Sequence, residues 1–582
     1  MYKPINLRYL QYIIVALFLI LTFSLFKLQI IEGKKYNSIA ENNIVRIKSV
    51  LPVRGEIFDR KFRPIALNRS SLNIYVTPGQ IEDKNKLIEF ISTNFEISAE
   101  SIRQALYENR FRLYQEILLV QNVEYESLVK VLESFNYYPS LSYKTEAIRQ
   151  YAYPNHFTGY LGRINEAEYK EHKEDGYTIN SFLGKSGVEK YYEEILRGQN
   201  GYRIIQVDAS GQDLHLFKHN LDQSAEDGAD LILTIDNDLQ GFINSIFPEK
   251  MKGAVVVMDT QTGGILAYVS YPEFDQNIFS ENISNADWNA ILNNPDKPML
   301  DRNIHGAYPP GSIFKPVIAS LGLESAIIDR DTKLASCSGG MQVGDRYFKC
   351  WWEKGHGSLN VTDAIKVSCD VFFYDLSLKF NLAQINDFCK KCLVTTKNGI
   401  DLPGERTGFF PTREWYIENY GKYAPIIGLK VNLAIGQGEV LVTPLQMCAY
   451  YAALANDGKW YRPHLLEKSI AGNKTKMNEV ESIDFPMSAS NLALIKEALW
   501  KVINEKYGTG TAASVAGLDV YGKTGSAENH MGNETHSWFA GFAQNDNFSV
   551  ACVVFVENAG HGGSISAPIA GRIFQYYHEQ SK

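Results

Sequence analysis

The sequence predicts a mixed α/β (α+β) protein, with one N-terminal transmembrane helix and two folded regions beyond it. Three observations predict this. Residues Tyr9 to Phe26 carry no charge. The chain has 582 residues, too many for one hydrophobic core. Alternating apolar runs lie at both ends of the C-terminal region with helical patterns between them, which suits a sheet closed by the two ends of that region. At 45% hydrophobic and 21% charged residues the composition is that of a globular chain, which excludes long disordered arms. A net charge of −8 gives no basic face, so no nucleic-acid partner is expected.

The first element is the run YLQYIIVALFLILTFSLF, in which Gln11 is the only strongly polar side chain. At about 1.5 Å per residue it spans about 27 Å, close to the hydrocarbon thickness of a bilayer. A cleaved signal peptide is the rival reading, but the run passes into KLQIIEGKKY without an A-x-A cleavage pattern. The expectation is a retained anchor over 9–28, preceded by a short tail at 1–8. Charge does not orient it, because Lys3 and Arg8 precede the span while Lys27, Lys34 and Lys35 follow it.

A first region, 34–222, carries no evident chemistry and reads as a pedestal. Pro52 to Asn68 has the pattern of a strand and turn pair, Asp83 to Phe135 has helical spacing, and Gly184 to Gly201 reads as a helix bounded by glycines. A second region, 227–582, opens with the strand pattern Asp230 to Asp236. Gly253 to Pro272 reads as a hairpin turning at Thr260 to Gly264. His536 to Ala543 and Phe548 to Glu557 read as neighbouring strands. None of the seven cysteines precedes Cys337, so no disulfide framework holds the N-terminal half.

The chemistry lies in the second region. In YPPGSIFKPVIA, Ser312 and Lys315 stand three residues apart at a helix start, which puts both on one face. A serine hydroxyl needs a base to become a nucleophile, and a lysine serves if its pKa is lowered. Ser368-Cys369-Asp370 sits before an apolar helix, and Lys523-Thr524-Gly525, followed by Ser526, sits at the end of a short strand. Singly these read as a helix turn, a cap and a strand end. In this order, behind an anchor, they form the signature of penicillin-recognising serine enzymes.

On these motifs the chain resembles the class B penicillin-binding proteins over almost its whole length. Arg54 to Arg60, Gly436-Gln437-Gly438, Thr443-Pro444-Leu445-Gln446 and His561-Gly562-Gly563 extend the resemblance. Within the class, Gly355-His356-Gly357 leading to Ser368-Cys369-Asp370 looks most like penicillin-binding protein 2, the cell-elongation branch. Asp370 departs from the Asn usual at its place in the wider family. A carboxylate there favours the charged form of a neighbouring lysine, which opposes a neutral base.

The resemblance implies a transpeptidase domain of the serine β-lactamase-like fold, an antiparallel sheet with helices, on an elongated pedestal. It implies a peptidoglycan D,D-transpeptidase that cross-links stem peptides during wall elongation and binds β-lactam antibiotics covalently. Ser312 would attack the penultimate D-alanine carbonyl and Lys315 would take its proton. Ser368 with Asp370 would pass a proton to the leaving D-alanine. Lys523 and Thr524 would bind the terminal carboxylate, and the backbone N–H groups of Ser312 and Ser526 would form the oxyanion hole. This chemistry lies outside the cytoplasmic membrane, which orients the anchor with its short tail in the cytoplasm and its bulk in the periplasm. No glycan-polymerising region is evident before Asp227, so a membrane-embedded glycan polymerase is the expected partner.

A structural zinc site is expected from Cys337, Cys350, His356 and Cys369, with spacing Cys-x12-Cys-x5-His-x12-Cys. Three thiolates and an imidazole suit a closed tetrahedral site, and relatives in the elongation branch have a metal site in this stretch. A disulfide among these cysteines, favoured by an oxidising compartment, and unlinked core thiols are the alternatives. Cys389 and Cys392 are a further candidate pair, and Cys448 and Cys552 read as core. The rival functions are a D,D-carboxypeptidase or serine β-lactamase, which usually lacks a pedestal and a span, and a β-lactam sensor or scaffold. A sensor would need a cytoplasmic signalling part larger than eight residues.

Overall fold

The computed structural model describes residues 7–34, 45–111, 113, 116–178, 181–206, 222–280, 283, 285–529 and 534–580. The chain divides into two compact units, Met1–Gly55 with Arg197–Gly228, and Glu56–Leu196 with Ala229–Lys582.

In the first unit an α-helix, Leu7–Phe26, continues as a wider π-helical turn, Lys27–Ile31. Among the described residues, Arg8–Ile31 is the one helix long and apolar enough to cross a membrane, and it fits a single-pass anchor. Lys3, Lys35 and residues 1–6 of the expected tail lie outside the described residues. The strand Val45–Val50 pairs antiparallel with Gly201–Gln206.

The second unit is built on two sheets. The first has five antiparallel strands in the order Ile265–Tyr271, Gly253–Asp259, Ser549–Val556, His536–Gln544 and Asp519–Ala527. The hairpin read from the sequence is its first pair, and the sheet is closed by strands from both ends of the region. Gly253–Asp259 is buried almost throughout, which explains its unbroken apolar run.

The helix Pro444–Ala455 is wholly buried beside this sheet. Its start is a capping box. The Thr443 side chain accepts from Gln446 N at 3.2 Å, and Gln446 Oε1 accepts from Thr443 N at 2.9 Å. The Thr-Pro-Leu-Gln motif is thus a helix-start device. Cys448 lies within this helix and Cys552 within the adjoining strand, and both are core residues. All seven cysteines are buried and unlinked.

The second sheet spans the expected division at 222–227. Its order is Lys474–Met477, Leu466–Ala471, Asp230–Leu233, Ile57–Phe58, Pro64–Val76 and Ile117–Val120, with Leu141–Tyr151 also on Pro64–Val76. Ile57 pairs with Leu231 in parallel, so residues expected in the pedestal share a sheet with residues expected in the C-terminal domain. One core likewise takes in Ile57, Tyr151, Phe157 and Val188 together with Leu231 and Val255. A smaller core of Ile74, Val76, Leu87, Ile91 and Ile102 belongs to the pedestal alone.

Two local expectations change. The stretch 83–135 holds the helices Lys84–Asn94, Ala99–Glu108 and Tyr125–Val131, but Ile117–Val120 between them is a strand captured by Pro64–Val76. The stretch 184–201 is two short helices, Gly187–Tyr191 and Glu193–Arg197.

Candidate active site

Ser312 lies in a 3-10 turn, Gly311–Phe314, that runs directly into the helix Lys315–Glu324. Side chains three residues apart eclipse in such a turn, so Ser312 and Lys315 share a face. Tyr451 OH donates to Ile313 O at 3.0 Å, and Trp538 Nε1 donates to Pro309 O at 3.0 Å, fixing the turn to the core on both sides. Among the described residues Ser312 Oγ forms no hydrogen bond, and the residue is partly exposed.

The backbone behind Ser312 is held by a glycine-to-glycine contact. Gly311 N donates to Gly436 O at 2.8 Å. Gly436 has φ +73°, and a Cβ there would stand 2.1 Å from Gly311 O. Gly436→Ala is therefore expected to cost about 2 kcal/mol in backbone strain alone and to displace the turn. Thermal melting and β-lactam labelling of the variant check this, and normal labelling would contradict it.

Lys315 is fully buried. Its Nζ donates to Ser368 O at 2.9 Å, Ser368 Oγ at 3.1 Å and Asp370 Oδ1 at 2.6 Å. Ser368 lies in the short gap between the helices Val361–Lys366 and Asp370–Leu378, and Asp370 opens the second, as the sequence indicated. Ser368 sits at φ +56°, a left-handed conformation unusual for a residue with a side chain.

Lys523, Thr524 and Gly525 lie in the middle of the edge strand Asp519–Ala527 rather than at its end. Lys523 is fully buried. Burial holds its pKa well below the usual lysine range, the Lys315 cation adds to this and Asp370 opposes it. Its Nζ donates to Thr524 O at 3.0 Å and to Thr509 Oγ1 at 3.5 Å. Thr524 Oγ1 donates to Thr509 Oγ1 at 3.2 Å.

The far end of the motif is clamped from two sides. Gln437 Nε2 donates to Ser526 O at 3.0 Å while its Oε1 accepts from Glu528 N at 3.1 Å. Gly562 N donates to Ser526 Oγ at 3.2 Å. Gly562 must be glycine, because a Cβ there would stand 2.3 Å from Trp538 O and 2.4 Å from Gly525 O. Gly311 abuts the backbone of Ser526 in the same way, which brings the serine turn against the edge strand.

Two of these partners escape sequence reasoning. Thr509 has the signal Gly508-Thr509-Gly510, which without the fold is only a turn. Trp351 is the other. Its backbone N–H donates to Asp370 Oδ2 at 3.0 Å, and its Nε1 donates to Val367 O and Ser368 O, each at 3.1 Å.

Beside Trp351, the ligand atoms of Cys337, Cys350, His356 and Cys369 all lie within 4.8 Å of one another. His356 Nδ1 is 3.7 Å from Cys337 Sγ and 3.5 Å from Cys350 Sγ. A tetrahedron with bonds of about 2.3 Å to sulfur and about 2.05 Å to nitrogen has an S···N edge of about 3.6 Å, so these residues fit an ion of that geometry. The cluster also favours a thiolate. Hydrogen bonds from Cys369 and His356 hold Cys350 well below the usual thiol range, and the same contact pushes Cys369 up.

Comparison with known proteins adds to this geometry. The penicillin binding protein transpeptidase domain matches residues 253–575, and the penicillin-binding protein dimerisation domain matches residues 49–233. Peptidoglycan D,D-transpeptidase MrdA of Acinetobacter baumannii is 30% identical over 573 residues, covering 94% of this chain and 84% of the relative. The penicillin-binding protein PBP2 of Helicobacter pylori, solved in a complex with MreC, is similar with a TM-score of 0.80 and 26% identity, covering 92% of this chain and 100% of that one. Pseudomonas aeruginosa PBP2, solved in complex with WCK 5153, is similar with a TM-score of 0.69 and 26% identity, covering 91% of this chain and 96% of that one.

Proposed function

The chain belongs to the class B penicillin-binding proteins, and from that membership we propose that it is a peptidoglycan D,D-transpeptidase of wall elongation with Ser312 as its nucleophile. The observation that carries the assignment is the meeting of three motifs. The turn bearing Ser312 abuts the Lys523 strand, and the Lys315 ammonium that follows it is buried on Ser368 and Asp370.

In this reading Ser312 Oγ bonds to the penultimate D-alanine carbonyl carbon, and the peptide bond to the terminal D-alanine breaks. Lys315 first passes one proton to the Asp370 carboxylate that faces it and, as the neutral amine, receives the serine proton; Ser368 relays a proton to the departing amine, and Asp370 orients Lys315. Lys523 and Thr524 hold the substrate carboxylate. The backbone N–H groups of Ser312 and Ser526 meet the oxyanion, whose charge develops only in the transition state. The amine of a second stem peptide then displaces Ser312, forming the cross-link. A β-lactam opens on Ser312 by the same attack and stays bound.

Cys337, Cys350, His356 and Cys369 would hold a structural zinc ion. When bound, it would supply cross-bridging of the loop that carries Ser368, with no part in proton or acyl transfer. The bulk of the chain would lie in the periplasm, where stem peptides are found. The pedestal and anchor would meet a glycan polymerase and a partner of the MreC kind, as named with the Helicobacter pylori relative.

The test is peptide mapping by mass spectrometry after the full-length, detergent-solubilised protein meets a β-lactam. The adduct is expected on the peptide containing Ser312. An adduct elsewhere, or none, would overturn the assignment.

A further inference from the structure

Trp351 touches both polar ends of the Ser368–Asp370 segment while the residue itself is 55% exposed. A half-exposed tryptophan contributes little to a core, so its contacts ask for another explanation. The carbonyl oxygen of Ser368 has two lone pairs. One accepts from Lys315 Nζ at 2.9 Å and the other from Trp351 Nε1 at 3.1 Å, a donor shared with the adjoining Val367 O at 3.1 Å. The indole therefore helps fix the acceptor that fixes the ammonium of Lys315. It does so at a residue whose φ of +56° must be held from outside.

The second contact comes from the backbone. Trp351 N donates to the oxygen of Asp370 that does not face Lys315. The position of Trp351 is set by its neighbour Cys350, whose N–H donates to Gly339 O at 2.9 Å, and by the His356 ring, 5.5 Å away between centroids.

We propose that Trp351 is a positioning residue for acylation, acting through its indole N–H on Ser368 O and thereby on Lys315. The proposal rests on the reading of Ser312 and Lys315 as nucleophile and base.

The experiment uses full-length protein in detergent and a fluorescent penicillin, with rapid mixing over a concentration series. This separates the maximal acylation rate from the affinity of the complex that precedes it. Trp351→Phe keeps the backbone N–H to Asp370 and removes only the indole donor. Its acylation rate is expected to fall about tenfold, the ratio for one lost hydrogen bond of ordinary net worth, with the preceding affinity changed less than about twofold. A 3-benzothienylalanine at position 351 keeps the fused ring and lacks the N–H. It should show the same loss with an unchanged melting temperature and zinc content.

A benzothienyl variant that acylates at the wild-type rate would overturn the proposal, since ring packing would then account for any defect in Trp351→Phe. Adduct mapping on the wild type separates this from the parent assignment. An adduct off Ser312 overturns both, whereas an adduct on Ser312 with undiminished rates in both variants overturns only the role of Trp351.

Discussion

Ser312→Ala is expected to abolish the β-lactam adduct and to lower cross-linking activity by about a millionfold, the scale seen when the nucleophile of a serine acyl-transfer unit is removed. The fold should survive, because Ser312 is partly exposed and its Oγ bonds to no described residue. The melting temperature should therefore move by no more than a degree or two. Gel fluorescence with a labelled penicillin measures the first effect, and muropeptide analysis of wall material made by the variant measures the second. Lys315→Ala is expected to be nearly as inactive and also less stable, since it leaves Asp370 and Ser368 without their buried partner. A stable adduct in Ser312→Ala would mean that another nucleophile carries the chemistry.

The second large effect is expected from loss of the proposed zinc ion. A site that holds its ion with free metal about a thousandfold above Kd adds about 4 kcal/mol to stability. Cys369→Ser should therefore lower the melting temperature by several degrees and release one zinc per chain. Acylation should fall with it, because Cys369 lies between Ser368 and Asp370. Metal analysis of anaerobically purified protein, with stopped-flow acylation before and after chelation, makes the measurement. Metal-free wild-type protein acylating at the full rate would refute the link between the cluster and the catalytic loop.

The chemistry was more legible in the sequence than the architecture. Ser312, Lys315, Ser368, Lys523 and Thr524 belong to short motifs whose spacing carries their meaning, and the three Cys and one His of the cluster fall within one stretch. Their supports were not legible for physical reasons. Trp351 acts on backbone carbonyls, which no side-chain pattern records. Gly436 and Gly562 matter because another backbone passes within bonding distance, and that neighbour is remote in sequence. The left-handed conformation of Ser368 is imposed by contacts rather than by its residue type. The sheet shared across 222–227 was not legible because strand pairing is non-local. Nothing near Ile57 announces Leu231 as its neighbour, although the apolar character of both strands is plain.

The place of Gly253–Asp259 in its sheet bears on how the polypeptide is made. One neighbour, Ile265–Tyr271, follows at once, but the other, Ser549–Val556, is synthesised nearly last. Until then Ala254-Val255-Val256-Val257-Met258 presents an open, wholly apolar edge, the kind of template on which strands from other molecules add. A product truncated between residues 527 and 549 keeps the motifs of Ser312, Ser368 and Lys523 yet leaves that edge uncovered. Nonsense or frameshift alleles late in the gene should therefore yield aggregates cleared by proteolysis rather than a weakened enzyme.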